Sequence, residues 1–386
     1  MPLEALKKAA EDLKPRLVAI RRELHMNPEL SMEEFETTRR IRGWLEEAGM
    51  TVGTYGLPTG LVADIEGGAP GPTVALRADI DALPITEETG LPFASCVPGK
   101  MHACGHDFHT ASMIGAALLL HRNRDRLKGR VRMIFQPGEE IAVGAREMVK
   151  AGVLEGVDAI LGMHNKPELP VGTVGVRAGA LMASVDRFRI RVTGKGGHGA
   201  IPDAAVDPIV AASAIVGALQ TIVSRNTSPL DSAVVSICRF HSGSTWNVIP
   251  DQAELEGTVR AFDADVRRRL PEQIRRIAEG VAAGYGASAE LVWIEGQHFV
   301  NNDPKAAALM ERAAGELGLT VVEAQPTTAG EDFSVYQEHV PGCFIWMGTS
   351  GTEGWHHPRF TLNEDALPVS AALFAHAAEL ALEELA

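Results

Sequence analysis

The sequence predicts an α/β protein with a mixed, mainly parallel sheet and helices on both faces, interrupted by a smaller α+β domain. Three observations carry that expectation. Strand-like and helical stretches alternate before residue 185 and again after about 295, the rhythm of a sheet with parallel strands. Between them the order changes to β-α-β-β-α-β. The chain has 386 residues, 45% hydrophobic and 22% charged, which suits two domains and excludes disorder as the main state.

A first helix is expected over 3–26. A second, over 31–48, opens with Ser31 and has Glu34 three residues on, the spacing of a capping box, and Gly49 follows as a stop. Strand-like runs follow at 60–66 and 73–77. A helix at 108–123 leads to a strand at 130–136, and a helix at 142–151 leads to a strand at 159–164. The middle of the chain reads as strand 186–193, helix 207–224, strands 232–240 and 252–262, helix 265–285 and strand 288–294. This is the ferredoxin-like order. The α/β rhythm returns with a helix at 305–317, a strand at 343–347 and a last helix from 368 to the end. The expected division is a discontinuous domain of 1–184 and 296–386, with 185–295 inserted into it.

Charge and cysteine usage narrow the function. Lys+Arg total 36 against 50 Asp+Glu, a formal charge of -14, which speaks against nucleic acid or an anionic membrane as partner. The amphipathic start of the chain is charged, unlike a signal peptide, and the apolar runs 111–120 and 208–223 are too short or interrupted to span a bilayer. A cytoplasmic location is expected. The 4 cysteines, Cys96, Cys104, Cys238 and Cys343, are too few and scattered for a disulfide framework.

The chemistry concentrates in short motifs at expected strand ends, where α/β sheets gather their ligands. His102, Cys104, His106 and His109 fall within eight positions, just before an apolar helix. Sulfur with imidazole suits zinc or another late first-row ion, and the alternative is a polar loop with Asp107 capping the helix. Glu139 and Glu140 follow the strand ending near Gln136. Adjacent carboxylates repel unless a positive group offsets them, and in extended backbone they point to opposite sides. One could bind a metal while the other acts as general base. The alternative is a solvated pair opening a helix. His164 follows another buried strand, and His356 and His357 form a doublet near the C-terminus. Asp79 and Asp81 follow the strand at 73–77, as ligands, as groups orienting a ligating histidine, or as turn formers. No phosphate loop G-x-x-x-x-G-K-[ST], no G-x-S-x-G elbow and no H-E-x-x-H helix occurs. A Cys104–His106 thiol mechanism is disfavoured, because residues two apart seldom meet as nucleophile and base.

Several motifs in order resemble one family. They are Arg22-Glu-Leu-His25 with Asn27-Pro-Glu29, the stretch from Arg77 to Pro84, His102-Ala-Cys-Gly-His-Asp-Phe-His109, Pro137-Gly-Glu-Glu140, Gly196-Gly-His198, Asn247-Val-Ile-Pro250, Gly330-Glu-Asp-Phe333 and His356-His-Pro358. The sequence is similar end to end to the M20 metallopeptidase superfamily, in its aminoacylase and hippurate hydrolase branch with the auxin-conjugate hydrolases. The resemblance implies two divalent metal ions (Zn, Mn, Co or Ni) held by Cys104, His106, Glu140, His164 and His356, with His357 as the alternative to His356. It implies Glu139 as general base and His198 as an oxyanion-stabilising residue, often reaching the partner subunit's site. Asn247 and Arg260 match residues that hold the substrate's α-carboxylate. Other branches carry His-x-Asp where this chain has Asp79-Ile-Asp81, so Asp79 is not counted as a ligand. The inserted domain is implied to cover the cleft and mediate dimerisation, as a homodimer or homotetramer. The implied reaction is hydrolysis of an N-acyl-L-amino acid, such as a hippurate or N-acetyl conjugate, to a carboxylate and a free amino acid. The competing readings are a metal-dependent dipeptidase or carboxypeptidase, a specific N-acetyl or N-succinyl deacylase, and a non-catalytic amino-acid-binding protein.

Overall fold

Parallel strands need crossover helices, and the N-terminal part of the chain supplies them in turn. The computed structural model describes residues 1–386. Its elements begin with α1 (Leu3–Met26), α2 (Phe35–Glu47), β1 (Thr51–Gly53), β2 (Leu61–Glu66), β3 (Ala69–Asp79) and α3 (His106–Arg122). There follow β4 (Lys128–Gln136), α4 (Gly144–Lys150), β5 (Ala159–Lys166), β6 (Thr173–Val176) and β7 (Gly179–Met182). The middle holds β8 (Val185–Thr193), β9 (Gly197–His198), α5 (Pro208–Leu219), α6 (Thr221–Asn226), β10 (Ala233–Ser242), β11 (Val248–Ile249), β12 (Gln252–Ala261), α7 (Ala264–Gly284) and β13 (Ser288–Gln297). The chain ends with β14 (Val300–Asn302), α8 (Pro304–Glu316), β15 (Thr320–Glu323), α9 (Phe333–Gln337), β16 (Gly342–Gly348) and α10 (Ala366–Leu385).

Two units result. One comprises Met1–Leu181, Val300–Gln325 and Asp332–Ala386; the other comprises Met182–Phe299 with Pro326–Glu331. The first is built on an eight-stranded sheet in the order β1-β2-β4-β3-β5-β16-β6-β15. Its centre, β4-β3-β5-β16, is parallel throughout, while β1, β2 and the β16–β6 pair bring in antiparallel neighbours. Strands buried on both faces read as continuous apolar runs, as β16 does in Gly-Cys-Phe-Ile-Trp-Met-Gly. On one face Leu161, Met163, Cys343, Ile345 and Met347 join α1, α3 and α10 in the core. On the other, Gly162 lies against Phe333 of α9, close enough that an added Cβ would sit 2.8 Å from its ring. Helix α3 is apolar almost all round because it is packed between α1 and α10.

The second unit has a four-stranded antiparallel sheet, β10-β12-β8-β13, the ferredoxin-like order for β8-α5-β10-β12-α7-β13. Strand β12 alternates buried and half-buried residues, as a sheet covered on one face requires. Helix α7 buries Val266, Leu270, Ile274, Ala278 and Ala282, four apart, against it. Local chemistry marks its helix starts: Asp207 caps α5 ahead of Pro208, and Asp263 caps α7.

Three local expectations need correction. The second helix starts at Phe35, and no capping box forms: Ser31 Oγ donates to Asp81 instead, and Glu34 does not cap α2. Asp107 is not the cap of α3; that place is taken by Gly105, with φ 86°. The helix expected over 207–224 is split at Gln220, whose N–H bonds to Gly217 O three residues back. Pro208–Asn226 and Ala366–Leu385 have the length and composition to cross a membrane, but the second is mostly buried in the core of its own unit.

Candidate metal centre

The four central parallel strands direct their carboxyl ends the same way, and the candidate residues leave from there. Residues 137–140 follow β4, Asp79 ends β3 with Asp81 two residues on, His164 lies near the end of β5, and His356 lies in the loop after β16. The chain runs from β3 out to β4 and then back across to β5, on the other side of β3. Loops that part in opposite directions leave a crevice at such a point, and the β3–α3 loop brings Cys104 and His106 into it.

Donor atoms converge in overlapping triads. Cys104, His106 and His164 present atoms within 4.8 Å of one another, and so do Cys104, Glu140 and His356. Sulfur is common to both. Cys104 Sγ lies 3.3 Å from His164 Nε2, His356 Nε2 lies 3.4 Å from Glu140 Oε2, and His106 Nε2 lies 3.9 Å from Glu140 Oε1. Ligands bound about 2.0–2.3 Å from one ion stand roughly 3–4 Å apart. Glu139, buried, belongs to a third triad with His106 and Glu140.

The surroundings aim these atoms. His106 Nδ1 donates to Asp81 O at 2.9 Å and approaches Asp81 Oδ1 at 3.2 Å, leaving Nε2 buried without a hydrogen-bond partner. His164 Nδ1 donates to Asn165 O at 2.9 Å and presents Nε2 to the sulfur. Glu140 Oε1 is also buried without a partner. Buried polar atoms without a hydrogen-bond partner are costly, and a divalent cation bound in place of the imidazole proton satisfies them. The donor set of sulfur, imidazole and carboxylate therefore fits divalent ions. His356 holds a left-handed backbone, φ 64°, and its N–H is tied to Ala103 O. The ring of His357 instead accepts from Arg359 N at 3.1 Å.

Electrostatics agree with the geometry. Burial lifts the Glu140 carboxyl to about 7, helped by Asp81 and Asp79. Burial also pushes the Cys104 thiol well up, reinforced by Glu140, Glu139 and Asp79. His106 is opposed by burial, yet Asp79, Asp81 and Glu140 outweigh that and raise it to about 10. These shifts share one cause, an excess of acid in a dry crevice, and a bound cation is the remedy.

Of the four His and Cys residues between 102 and 109, Cys104 and His106 fall in the triads that share the sulfur. His109 is fully occupied: Nδ1 meets Asp79 Oδ1 at 2.6 Å, and Nε2 accepts from Asn165 N at 2.9 Å. His102 is buried with both ring nitrogens unpartnered, its ring 6.5 Å from that of His25, and burial drives it down to about 4. Asp79 and Asp81 each hydrogen-bond a histidine ring, His109 and His106 respectively, and Asp79 also stands within ligand distance of both histidines. Missed from sequence was Arg77, whose guanidinium joins Asp79 at 2.7 Å, Asp332 at 2.8 Å and Gln136 at 2.8 Å beneath the centre. An arginine inside a buried strand was the available signal.

His198, Asn247 and Arg260 lie in the second unit. His198 ends β9 opposite Val248 of β11, and Gly199 N donates to Asn247 O, so the first two share one exposed ribbon. Arg260, on β12, hydrogen-bonds to Thr258 Oγ1, Val259 O and Thr328 O, all neutral acceptors.

Donor triads that share a sulfur, with the buried Glu139 carboxylate beside them, suit a metal-dependent hydrolase; a structural site is closed by four ligands and needs no base. Residues 75–380 match Peptidase family M20/M25/M40, and the chain belongs to that family as a metal-dependent amidohydrolase. Among curated relatives, an N-acetylcysteine deacetylase of Bacillus subtilis (strain 168) is 58% identical over 371 residues, 96% of this chain and 98% of that protein. An Arabidopsis thaliana IAA-amino acid hydrolase ILR1-like 4 is 41% identical over 380 residues, 96% of this chain and 86% of that protein. Among solved structures, a Bacillus subtilis dinuclear metal-binding peptidase of the M20 family superposes with a TM-score of 0.89 at 54% identity, covering 97% of this chain and 99% of that one. The relative's two metals and the overlapping triads support two divalent ions here.

Proposed function

We propose that the chain hydrolyses the amide bond of N-acyl-L-amino acids to a carboxylate and a free amino acid. The observation that carries this is the Glu139–Glu140 pair, one carboxylate in a triad with Cys104 and His356 and its neighbour buried beside it. A relative named for deacetylating N-acetylcysteine and one named for hydrolysing IAA-amino acids support the substrate class.

Cys104, His106, Glu140, His164 and His356 would hold two divalent ions, among zinc, manganese, cobalt and nickel. Bound there, the ions would polarise the amide carbonyl and acidify water. Glu139 takes the proton of the attacking water on its carboxylate and delivers it to the leaving nitrogen, so that it ends the cycle ionised. In this reading His198 donates to the oxyanion, while Asn247 and the Arg260 guanidinium hold the α-carboxylate, the geometry Arg favours for that group. A homodimer or homotetramer formed through the second unit is part of the proposal, as is a cytoplasmic location. Its sheet ends in the unpaired edge of β10, and Leu230, Trp246 and Val248 are exposed apolar groups on that unit.

The test is a panel of N-acetyl, N-benzoyl, N-succinyl and dipeptide substrates with metal-reconstituted protein. N-acyl amino acids should be cleaved, chelation should abolish turnover, and Glu139→Gln should lower kcat about 10²- to 10⁴-fold while keeping its metal. Wild-type turnover by Glu139→Gln, or binding of N-acyl amino acids without cleavage, would refute the reading.

A further inference from the structure

The turn that carries Glu139 and Glu140 is tightly folded. Gly138 has φ 62° and Ala142 φ 56°, and a Cβ on Gly144 would lie 1.5 Å from Pro137 O. Within it the Ala142 N–H bonds to Glu139 O and the Val143 and Gly144 N–H groups bond to Gly138 O, so the turn is stiff and outside contacts fix how it sits on the strand end. A short segment around the start of α2 supplies three of them. Ser31 Oγ donates at 2.6 Å to Asp81 Oδ2, which also accepts the Glu140 N–H at 3.0 Å. Glu34 Oε1 accepts the Gly138 N–H at 2.8 Å and the Met32 N–H at 2.9 Å. Thr38 Oγ1 accepts the Gly60 N–H at 2.9 Å, and Gly60 packs so closely on Pro137 that an added Cβ would fall 2.5 Å from its ring.

The middle contact is the informative one. Glu34 occupies the N-cap position of α2 but gives its side chain no capping bond. Its Oε2 is buried without a hydrogen-bond partner. A residue chosen for helix stability would be Ser, Thr, Asp or Asn, capping its own helix. A residue chosen for burial would not leave a carboxylate oxygen orphaned. What the position obtains is a strong acceptor fixed on the N–H of the residue immediately before the catalytic dipeptide. Met32 closes the other side, its Sδ 2.7 Å from where a Gly138 Cβ would stand. With Glu34 below and Asp81 ahead, the amides on either side of Glu139 are both anchored to buried carboxylates.

We propose that Glu34 is a positioning residue of the hydrolytic reaction: by accepting the Gly138 amide it sets the direction in which the Glu139 carboxylate points. The inference rests on the reading of Glu139 as the general base. Freed of that contact, the 137–138 peptide loses its outside anchor, the turn it leads into can shift as a unit, and the base it carries moves with it. A displacement of about 1 Å at a reacting group costs on the order of 100-fold in rate.

The experiment compares Glu34→Ala, Glu34→Asp and Glu34→Gln in metal-reconstituted full-length protein, with kcat, KM and metal content per folded molecule measured for each, and Glu139→Gln in parallel. Alanine removes the acceptor, aspartate retracts it by one methylene, and glutamine keeps it without the charge. The expected result is a kcat lower by about 10- to 100-fold for Ala and Asp, with KM within about 2-fold and metal content unchanged, and recovery of most of the loss by Gln. If Ala does not fold, the Asp and Gln pair decides alone. Unchanged kcat in Ala or Asp, a loss carried by KM or by metal content, or failure of Gln to recover activity would overturn the proposal. Failure of the underlying reading is separately visible: Glu139→Gln would then retain turnover.

Discussion

Replacing Asp81 by Asn tests whether the centre is assembled by hydrogen bonds outside the ligand set. The side chain is fully buried and serves three donors: His106 Nδ1 at 3.2 Å on Oδ1, with Ser31 Oγ at 2.6 Å and Glu140 N at 3.0 Å on Oδ2. An amide offers one acceptor oxygen where the carboxylate offered two. If the oxygen stays toward His106, the Glu140 N–H faces an NH2 group and loses its acceptor. If it turns the other way, His106 Nδ1 loses its carboxylate and keeps only the carbonyl of residue 81. Either outcome leaves a buried donor short, at about 1–3 kcal/mol. Loss of such an orienting group also costs about 10- to 100-fold in metal affinity, or roughly 1.4–2.7 kcal/mol. The assay is competition for metal against a chelator of known affinity, with melting followed in the presence and absence of metal. Asp81→Asn should bind metal at least about 10-fold more weakly and melt lower. Equal metal affinity in the variant would refute the claim that Asp81 aims His106 at an ion.

Four further outcomes follow from named contacts. His356→Ala should weaken metal binding by at least about 10-fold, since even orienting groups are worth that much, whereas His357→Ala should leave it unchanged; chelator competition separates them. Gly105→Ala should be destabilising by about 2–5 kcal/mol in urea unfolding: φ is 86°, and the new Cβ would lie 2.5 Å from Asn165 Nδ2, which holds Cys104 O at 2.6 Å. His25, buried between Asp107 at 2.9 Å and Glu87 at 3.2 Å, is opposed by burial but held above its ordinary 6.5 by those carboxylates. Its charge therefore stabilises the fold fully below pH 6.5 and progressively less above it, so the stability advantage over His25→Gln should shrink as pH rises. Arg21→Leu should destabilise by about 3–5 kcal/mol, because it leaves Asp107 buried with one ion-pair partner fewer; retention of wild-type stability would contradict that count.

The sheet was legible because burial on both faces imposes continuous apolar runs, and β4, β5 and β16 are such runs. The short elements β6, β7, β9, β11, β14 and β15 were not: two to four residues cannot show a period, and their pairing is set by distant partners such as β15 on β6. The candidate ligands were legible because Cys, His and paired Glu are scarce residues placed at strand ends. The residues alone did not separate His106 from His109 as candidate ligands; only the family resemblance singled out His106. His106 and His109 are three residues apart at the start of one helix, and chemically identical; the difference is that Asn165, 56 residues away in sequence, fills His109 Nε2 and nothing fills His106 Nε2.

That contrast also explains why two aspartates sit beneath a site already rich in acid. Asp79 is opposed by burial, yet His106, His109 and Arg77 hold it well below the usual carboxylate range. Arg77 donates hydrogen bonds to Asp79, Asp332 and Gln136. Ionised, Asp79 fixes His109 at 2.6 Å, His109 accepts the Asn165 N–H at 2.9 Å, and Asn165 Nδ2 holds Cys104 O at 2.6 Å, so the aspartate sets the backbone that presents the sulfur and serves the acid-rich donor cluster from outside it.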